Sequence, residues 1–448
     1  MMESILIPRI FDRSLSASLD SNLITVILGP RQTGKTTSVN LLLKDIPPNN
    51  KLVLNFDSSF IREKVISSER YITDEIEATI MQLLDTFKGR FFLFIDEAQK
   101  CPTSFEQIKM LYDRYSPCLK IIMSGSSTLE MMDKTAETLA GRIQTFRIFP
   151  FSIAEAGVFM KFGDIDQTSR FFTYLFSGDI SVEFINGLIR EKRPKSGQIK
   201  TLIQRLITRS LFPPTFTKIT EDEVDRWLLD YIDTYIERDM RSVAEIGNIA
   251  GFKKAVSQLA ARCGNLLVVK EIAADSAINH ITARKYINIW QESLTGFLLS
   301  PFFINPSTRI KKSPKVYFID NGLPWALTGF KDRALLEAGG EIGNLFENLI
   351  IAEFTKYGAI FHRRPQFFFW EKSHVSEVDL VIQTQGFSIP VEIKWTSSWN
   401  DRILRGIDAF KMHHQERGVR VPFSLVIYNG EFFMPRKDVF CIPAWMMG

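Results

Sequence analysis

Residues 23–43, LITVILGPRQTGKTTSVNLLL, combine an apolar strand pattern, a loop with two glycines and a helical pattern. Gly29, Gly34, Lys35 and Thr36 satisfy the spacing G-x-x-x-x-G-K-[ST], and both flanks have the character that this motif requires. In such a loop backbone N–H groups surround a phosphate, the lysine reaches the terminal phosphates and the hydroxyl ligates Mg²⁺. The stretch therefore predicts a site for ATP and Mg²⁺. The residues predicted to bind the nucleotide are Gly29, Pro30, Arg31, Gln32, Thr33, Gly34, Lys35, Thr36 and Thr37.

A second apolar run, RFFLFIDEAQK at residues 90–100, ends in two carboxylates. It fits a buried parallel strand that delivers Asp96 and Glu97 to the edge where open α/β sheets bind ligands. Asp96 would join Thr36 in holding Mg²⁺, and Glu97 would act as the general base on the attacking water. A solvated acidic turn is the alternative. The upstream phosphate loop favours the catalytic interpretation.

Two later stretches carry further candidates. LKIIMSGSST, residues 119–128, predicts a strand whose end would place one of the serines 124–127 near the γ-phosphate, and which serine does so stays open. ETLAGRIQTFRIFPFSIAEA, residues 137–156, presents Arg142 after a glycine. An arginine there would stabilise charge in the transition state, within the chain or across a subunit interface. A surface salt bridge is the alternative.

Composition limits the class of protein. A chain of 448 residues with 45% hydrophobic content predicts about three globular domains. No apolar run approaches the ~18 residues of a membrane span, and the N-terminus lacks the pattern of a signal peptide, so we expect a cytoplasmic protein without a membrane partner. The four cysteines are too widely spaced to predict zinc or disulfides. A net charge of +4 is small, so any case for nucleic acid depends on local clusters.

The segments GPRQTGKTT, FLFIDEAQ, SGSS and LAGRI followed by FPFS resemble a group of prokaryotic AAA+-type ATPases whose C-terminal half is a domain of unknown function. The resemblance spans nearly the whole chain. It implies nucleotide binding and hydrolysis, identifies Asp96 and Glu97 as the Walker B carboxylates, and makes Arg142 a candidate arginine finger. It does not indicate a substrate.

Residues 250–318 predict a winged helix. Three helical patterns precede two strand-like runs, which are separated by the basic loop NPSTRIKKS. Ten basic residues against three acidic ones give this region a net charge of +7, more than the whole chain carries. Residues on the presumed recognition helix and wing would contact DNA, although winged helices also serve in protein packing. The predicted contacts are Arg284, Lys285, Arg309, Lys311 and Lys312.

In residues 319–448 a helix with Glu347 precedes the strand patterns FFFWEK, SEVDLVIQT and SIPVEIKW. Asp379 lies on one strand, and Glu392 and Lys394 project from one face of the next. This arrangement resembles the PD-(D/E)XK nuclease-like fold, although valine stands where the motif has proline. The chemistry of such a site would use Asp379, Glu392 and Glu347 as Mg²⁺ ligands. Glu392 and Lys394 would then be catalytic, with Lys394 positioning the attacking water.

The sequence thus predicts an α/β protein: a P-loop NTPase domain with a parallel sheet (1–160), a helical region (161–249), a winged helix (250–318) and an α/β restriction-endonuclease-like domain (319–448). Two functions stay open. One is an ATP-hydrolysing enzyme that couples its nucleotide state to DNA binding or processing, with nuclease activity undecided. The other is an ATP-dependent switch whose idle nuclease-like domain binds a protein partner. A homo-oligomer is expected if Arg142 acts across a subunit interface.

Overall fold

The computed structural model describes residues 6–126, 138–234, 248–304, 312–329, 340–361, 363–372 and 376–448. Five strands form an all-parallel sheet in the order β2-β3-β4-β1-β5. Every residue of β1, β3 and β4 is buried, as expected for parallel strands that are covered by helices on both faces. The strands are β1 (Ile24–Leu28), β2 (Lys51–Asn55), β3 (Phe91–Asp96), β4 (Leu119–Gly125) and β5 (Ile143–Arg147). The accompanying helices are α1 (Asp12–Ser18), α2 (Lys35–Leu42), α3 (Ser59–Ser67), α4 (Tyr71–Ile80) and α5 (Ser104–Tyr115).

The next helices pack against the C-terminal domain. They are α6 (Ile153–Phe159), α7 (Ile165–Ser177), α8 (Val182–Lys192) and α9 (Ser196–Leu206). Their apolar side chains share one core with the C-terminal sheet, and the ring of Phe172 stacks on that of Tyr357 with centroids 4.1 Å apart. Helices α7, α8 and α9 of the predicted helical region 161–249 therefore belong to the same packed unit as the end of the chain.

A second unit contains three helices and an antiparallel ribbon. It comprises α11 (Ile249–Ala261), α12 (Val269–Asp275), α13 (His280–Glu292), β6 (Gly296–Leu299) and β7 (Lys315–Phe318). Helices α10 (Glu221–Thr234) and α14 (Gly322–Leu327) complete its core. The core consequently extends beyond the predicted bounds 250–318 on both sides.

The C-terminal sheet has six strands in the order β12-β13-β11-β10-β9-β8. Strand β9 pairs antiparallel with both β8 and β10, and β12 pairs antiparallel with β13. The central strands β10, β11 and β13 run parallel to one another. The elements are α15 (Glu341–Ile360), β8 (Gln366–Lys372), β9 (Ser376–Gln383), β10 (Ser388–Lys394), α16 (Arg405–Gln415), β11 (Ser424–Tyr428), β12 (Phe433–Arg436) and β13 (Val439–Pro443).

None of the helices in the described ranges is both long enough and apolar enough to cross a membrane. All four cysteines are free thiols, and three of them are buried. A buried thiol packs as a small apolar side chain.

A buried ion pair joins α15 to the segment that precedes α6. Lys356 Nζ lies 2.9 Å from Glu353 Oε1 and donates to the carbonyl oxygen of Phe151 at 2.8 Å. The backbone N–H of Ile153 donates to Glu353 Oε2 at 2.9 Å. Both charged side chains are completely buried, so neither has water to replace its partner.

We expect Lys356→Met to lower the free energy of unfolding by about 3–5 kcal/mol, because it leaves the Glu353 carboxylate buried without its cation. The double variant Glu353→Gln, Lys356→Met should be destabilised much less, because it removes both charges. Urea denaturation would measure both effects. Lys200→Met, which breaks the exposed pair with Glu431, is the matched control and should change little. A double variant as unstable as Lys356→Met would contradict the prediction.

Candidate ATP site and candidate carboxylate site

The phosphate loop connects β1 to α2 through a backbone path that requires its two glycines. Gly34 caps α2 with φ = 94°, in the left-handed region that favours glycine. A Cβ on Gly29 would lie 2.0 Å from the carbonyl oxygen of Ile148, so no larger residue fits there. The loop therefore turns at the N-terminus of α2, where helical N–H groups lack intrahelical partners and attract anions.

Lys35 and Thr33 close this loop on itself. Lys35 Nζ donates to the carbonyl oxygens of Gly29 and Pro30, at 2.9 Å in each case. Thr33 Oγ1 also donates to the carbonyl oxygen of Pro30 at 2.9 Å. The side chain of Lys35 is thus held across the loop, where a phosphate oxygen would be a stronger acceptor for its ammonium than a neutral carbonyl.

The two predicted Mg²⁺ ligands of the ATP site lie together. Thr36 Oγ1 donates to Asp96 Oδ2 at 2.9 Å, and Ser124 Oγ donates to the other carboxylate oxygen. The hydroxyl comes from the first turn of α2, and the carboxylate comes from the end of β3. A hydroxyl and a carboxylate side by side form an oxygen donor set of the kind that Mg²⁺ prefers. The residues therefore fit the metal that the sequence predicts.

Glu97 follows Asp96 with φ = 54°, an uncommon value for a residue other than glycine. Gln99 Nε2 donates to Glu97 Oε2 at 2.7 Å and lies 3.1 Å from Ser126 Oγ. Of the candidate serines, Ser124 binds Asp96 and Ser126 approaches Glu97, while residue 127 lies outside the described residues. Gln99 was not singled out from the sequence, although it stands within the same motif.

A mostly apolar cleft of about 640 Å³ adjoins the loop beside Gly34 and Thr37. Its walls come from four separate stretches, 6–9, 34–41, 151–159 and 213–217. Sequence reasoning did not find it, because no single stretch contains more than a part of it. Its apolar lining residues are Leu6, Ile7, Leu41, Phe151, Phe159, Pro213, Pro214 and Phe216.

Arg142 does not lie at the ATP site of its own chain. Its guanidinium binds both carboxylate oxygens of Asp113, with Nε 2.7 Å and Nη2 3.1 Å from them. Its carbonyl oxygen accepts from the N–H of Ile24, at the start of β1, whereas the phosphate loop follows the end of that strand. The structure thus separates Arg142 from the loop by the length of the sheet. A role as arginine finger stays a prediction, and only across a subunit interface.

In the C-terminal domain Asp379, Glu392 and Lys394 are brought together. Lys394 Nζ lies 2.8 Å from Asp379 Oδ2 and 3.0 Å from Glu392 Oε2. The N–H of Ile393 also donates to Asp379 Oδ2, at 2.7 Å. Burial, reinforced by the charge of Asp379, raises the pKa of Glu392 well above its ordinary value. Burial also raises the pKa of Asp379, but the nearby lysines outweigh it and hold that pKa below its ordinary value.

Glu347 makes different contacts from those predicted. It accepts a hydrogen bond from the hydroxyl of Tyr317 and lies 3.4 Å from Lys315 Nζ. Lys315 also pairs with Glu377. Burial raises the pKa of Glu347 to about 7. Lys315 contributes to the positive charge of the winged-helix region, but it is a buried residue of this second site and does not face solvent.

Among the described residues no group of three or more histidine, cysteine, aspartate or glutamate side chains is arranged to hold a metal ion. The carboxylates of Glu347, Asp379 and Glu392 thus do not form the predicted three-ligand Mg²⁺ set. Their oxygens instead face the ammonium groups of Lys315 and Lys394 and the hydroxyl of Tyr317. These residues do not fit a magnesium centre as they stand.

The predicted nucleic-acid contacts are only partly described. Arg284 and Lys285 are exposed on α13, and Lys312 is exposed just before β7. Arg309 and Lys311 lie outside the described residues. Some other cationic side chains of this region form ion pairs within the protein. Arg262 pairs with Glu271 and Asp275, and Lys253 pairs with Asp233. The positive face is therefore smaller than the net charge of +7 suggests.

Three family models match consecutive parts of the chain. An AAA domain covers residues 21–157, and two domains of unknown function, DUF8612 and DUF4143, cover residues 200–334 and 342–447. Two similar proteins are the uncharacterized protein Rv2008c of Mycobacterium tuberculosis and the uncharacterized protein Mb2031c of Mycobacterium bovis. Each is 25% identical over 426 residues, which cover 94% of this chain and 80% of the relative.

Two solved structures with partial likeness are those of C. elegans PCH-2 and of Drosophila ORC bound to AT-rich DNA and Cdc6. The first has a TM-score of 0.22 and 18% identity, covering 39% of this chain and 47% of that chain. The second has a TM-score of 0.23 and 9% identity, covering 73% and 90%. Similarities this low carry no argument about fold or function. The AAA match, the parallel sheet and the glycine loop together support an ATP-binding P-loop domain of the AAA type.

Proposed function

We propose that this protein hydrolyses ATP in its N-terminal domain and uses the nucleotide state to control DNA binding by the remainder of the chain. The observation that carries this proposal is a continuous set of buried hydrogen bonds. It runs from the phosphate loop to helix α15, which also bears Glu347 of the carboxylate site. Each of the following steps depends on contacts between described residues.

The hydrolysis chemistry rests on the end of β3. Thr36 and Asp96 would hold Mg²⁺, which would neutralise charge on the phosphates. Glu97 would accept a proton from the attacking water, and Gln99 would orient its carboxylate. Lys35 would pair with the terminal phosphates. The apolar cleft beside Gly34 and Thr37 would take the adenine base, since pockets of this size bind flat apolar groups.

Arg9 connects the phosphate loop to the segment before α6. Its Nη1 donates to the carbonyl oxygen of Thr33, within the loop, at 2.8 Å. Its Nε donates to Glu155 Oε1 and its Nη2 to the carbonyl oxygen of Phe149, both at 2.8 Å. Arg9 is nearly buried, so these bonds have little competition from water. A shift of the loop on phosphate binding would therefore act directly on Arg9.

Glu155 connects Arg9 to the start of α6. Its carboxylate accepts from the N–H of Ile10 at 2.7 Å and from the N–H of Ser152 at 2.6 Å. The side chain of Ser152 accepts a hydrogen bond from the N–H of Glu155 in return, which completes a capping box. The adjacent N–H of Ile153 is the group that donates to Glu353 on α15. The start of α6 is thereby hydrogen-bonded both to Arg9 and to helix α15.

Helix α15 carries the connection to the second unit. Lys356 binds the carbonyl oxygen of Phe151 at one part of the helix. Nearer its N-terminus, Glu347 binds Tyr317 and Lys315 on β7. Strand β7 follows the exposed residue Lys312, one of the predicted DNA contacts. A movement of α15 would therefore reach the strand ribbon that is predicted to contact DNA.

One observation favours the alternative of a switch that binds a protein partner. Lys394 contacts both Asp379 and Glu392, so the carboxylate site resembles an internal ion-pair cluster more than a metal centre. A DNA panel that survives equally with wild type and Asp379→Ala, in Mg²⁺ and in Mn²⁺, would exclude cleavage. Assembly into a homo-oligomer would let Arg142 reach a neighbouring ATP site.

We expect duplex DNA to stimulate steady-state ATP hydrolysis, because DNA binding and the nucleotide state would be linked. Lys35→Ala should abolish both basal and stimulated hydrolysis, since it removes the charge that pairs with the terminal phosphates. A colorimetric phosphate assay with and without duplex measures this. Hydrolysis that ignores DNA would favour the protein-partner alternative, and a rate unchanged by Lys35→Ala would refute the ATP site.

The double variant Glu353→Gln, Lys356→Met should retain basal ATP hydrolysis but should no longer be stimulated by duplex DNA. It removes the ion pair within α15 and the bond from Lys356 to the carbonyl oxygen of Phe151, which joins the segment before α6 to α15, without touching the phosphate loop. Lys200→Met serves as the control and should keep its stimulation. If the double variant is stimulated as strongly as wild type, the buried network does not transmit the nucleotide state.

Phe216→Ala should weaken ATP binding about tenfold, because removing an aromatic ring that packs on the base costs about 1–1.5 kcal/mol. The affinity for inorganic tripolyphosphate should stay unchanged, since the phosphate loop is intact. Calorimetric titration of both ligands tests this, with Phe60→Ala as a control at an exposed phenylalanine on α3. An equal reduction for both ligands would mean that the variant distorts the loop and would contradict the assignment of the base cleft.

A further inference from the structure

A groove of about 850 Å³ lies between β8, the edge strand of the C-terminal sheet, and residues 301–304 and 312–313. Residues 369–372 of β8 line it, and Phe369 exchanges backbone hydrogen bonds with the segment that follows β6. The N–H of Phe369 donates to the carbonyl oxygen of Ser300 at 3.1 Å, and the N–H of Phe302 donates to that of Phe369 at 2.6 Å. The edge of the sheet is thus covered, and the remaining space beside it is concave.

Positive charge surrounds this groove. Lys312 lies on the side of the predicted wing, Lys372 at the end of β8 and Arg417 beyond the end of α16. Glu371 is the one acidic residue among its described lining residues. Arg417 Nη1 also lies 2.8 Å from Nε2 of His413. Such a set of exposed cations on three separate elements suits a ligand with several anionic groups along its length.

The groove also has a buried polar group without a partner. His414 lines it and is only 3% exposed. Neither ring nitrogen of His414 has a hydrogen-bond partner among the described residues. Its ring is enclosed by the aromatic rings of Phe302, Trp370 and Phe410, with centroids 5.1, 5.7 and 4.5 Å away. A buried polar atom without a partner costs free energy, so a ligand that supplies a hydrogen bond would be favoured.

Burial, together with His413 and Arg417, lowers the pKa of His414 to about 4. The ring is therefore neutral at physiological pH and offers one donor and one acceptor. A nucleobase presents donors and acceptors of the same kind on its edges, together with an apolar face. Phosphates on either side of the base would meet the surrounding cations.

We propose that this groove binds one strand of DNA, with an unpaired base placed against His414 and its phosphates on Lys312, Lys372 and Arg417. The volume suits one or a few nucleotides. The inference rests on the proposed function, because it takes DNA as the ligand. It adds that the C-terminal domain binds a single strand.

The position of the groove supports this choice of ligand over an acidic peptide. Lys315 Nζ lies 5.6 Å from the ring centroid of Phe369, which lines the groove. Lys315 in turn binds Glu347 and Glu377 of the carboxylate site. Phe369 thus connects the lining of the groove to the carboxylate–lysine cluster, and Lys312, a predicted DNA contact, lines the groove itself. Both neighbours favour DNA over an acidic peptide.

The test is fluorescence anisotropy with a labelled single strand and the matching duplex, using the full chain. Lys372→Gln combined with Arg417→Gln should weaken single-strand binding at least tenfold. The slope of log K against log salt should become shallower by about 1.4, because each cation on a single strand accounts for ~0.7 of that slope and two are removed. Duplex affinity should stay unchanged in this variant. The control Lys44→Gln, at an exposed lysine of the ATPase domain, should leave both affinities unchanged.

A second variant tests the histidine. Wild type should bind a strand with bases more tightly than an otherwise equal abasic strand. His414→Phe should reduce this preference while the binding that depends on phosphates persists. If the double variant Lys372→Gln, Arg417→Gln binds the single strand as tightly as wild type, the groove does not bind DNA. Duplex binding, and with it the proposed function, would be unaffected by that result. Polyglutamate that competes as well as the single strand would also overturn it. If wild type binds neither form of DNA, the proposed function itself fails.

Discussion

The hydrogen bonds of the Arg9 guanidinium join the phosphate loop to the segment 149–155, on which helix α15 also packs. Three of its N–H groups bind the carbonyl oxygens of Thr33 and Phe149 and the carboxylate of Glu155. Only arginine offers donors in a planar fork that can reach three acceptors in different directions. Because these acceptors are buried, the loop cannot move independently of the segment 149–155 and of the helix that binds it.

Helix α15 binds the same segment of the chain through residues 151–153. Its Glu353 and Lys356 are paired with each other and with backbone groups of the segment 151–153. Nearer the start of the helix, its Glu347 meets residues of β7. A single rigid helix thus contacts the region that adjoins the ATP site and the ribbon of the second unit. The charged pairs Glu353–Lys356 and Glu347–Lys315 are both buried. Burial of such charges costs free energy unless each has a partner, and here some of the partners come from neighbouring segments.

The ATP site could be predicted because its chemistry is local in sequence. Gly29 to Thr37 are consecutive, and Asp96 and Glu97 end one strand of the same parallel sheet, so strand order alone brings them together. Arg142 shows the limit of that reasoning. Its motif resembles an arginine finger, but the direction of β5 places it at the opposite end of the strands. Glu347 and Lys315 show another limit, since their pairing crosses the boundary between two predicted domains.

The sequence by itself determined the phosphate loop, the carboxylates that follow β3, and the clustering of Asp379 with Glu392 and Lys394. These arise from backbone periodicity and short-range spacing, which the order of residues dictates. Tertiary structure alone decided the base cleft, the Arg9 network, the contacts of Glu347 and the groove around His414. Each of these is built from segments far apart in the chain, and such segments meet only where packing of the apolar cores brings them together.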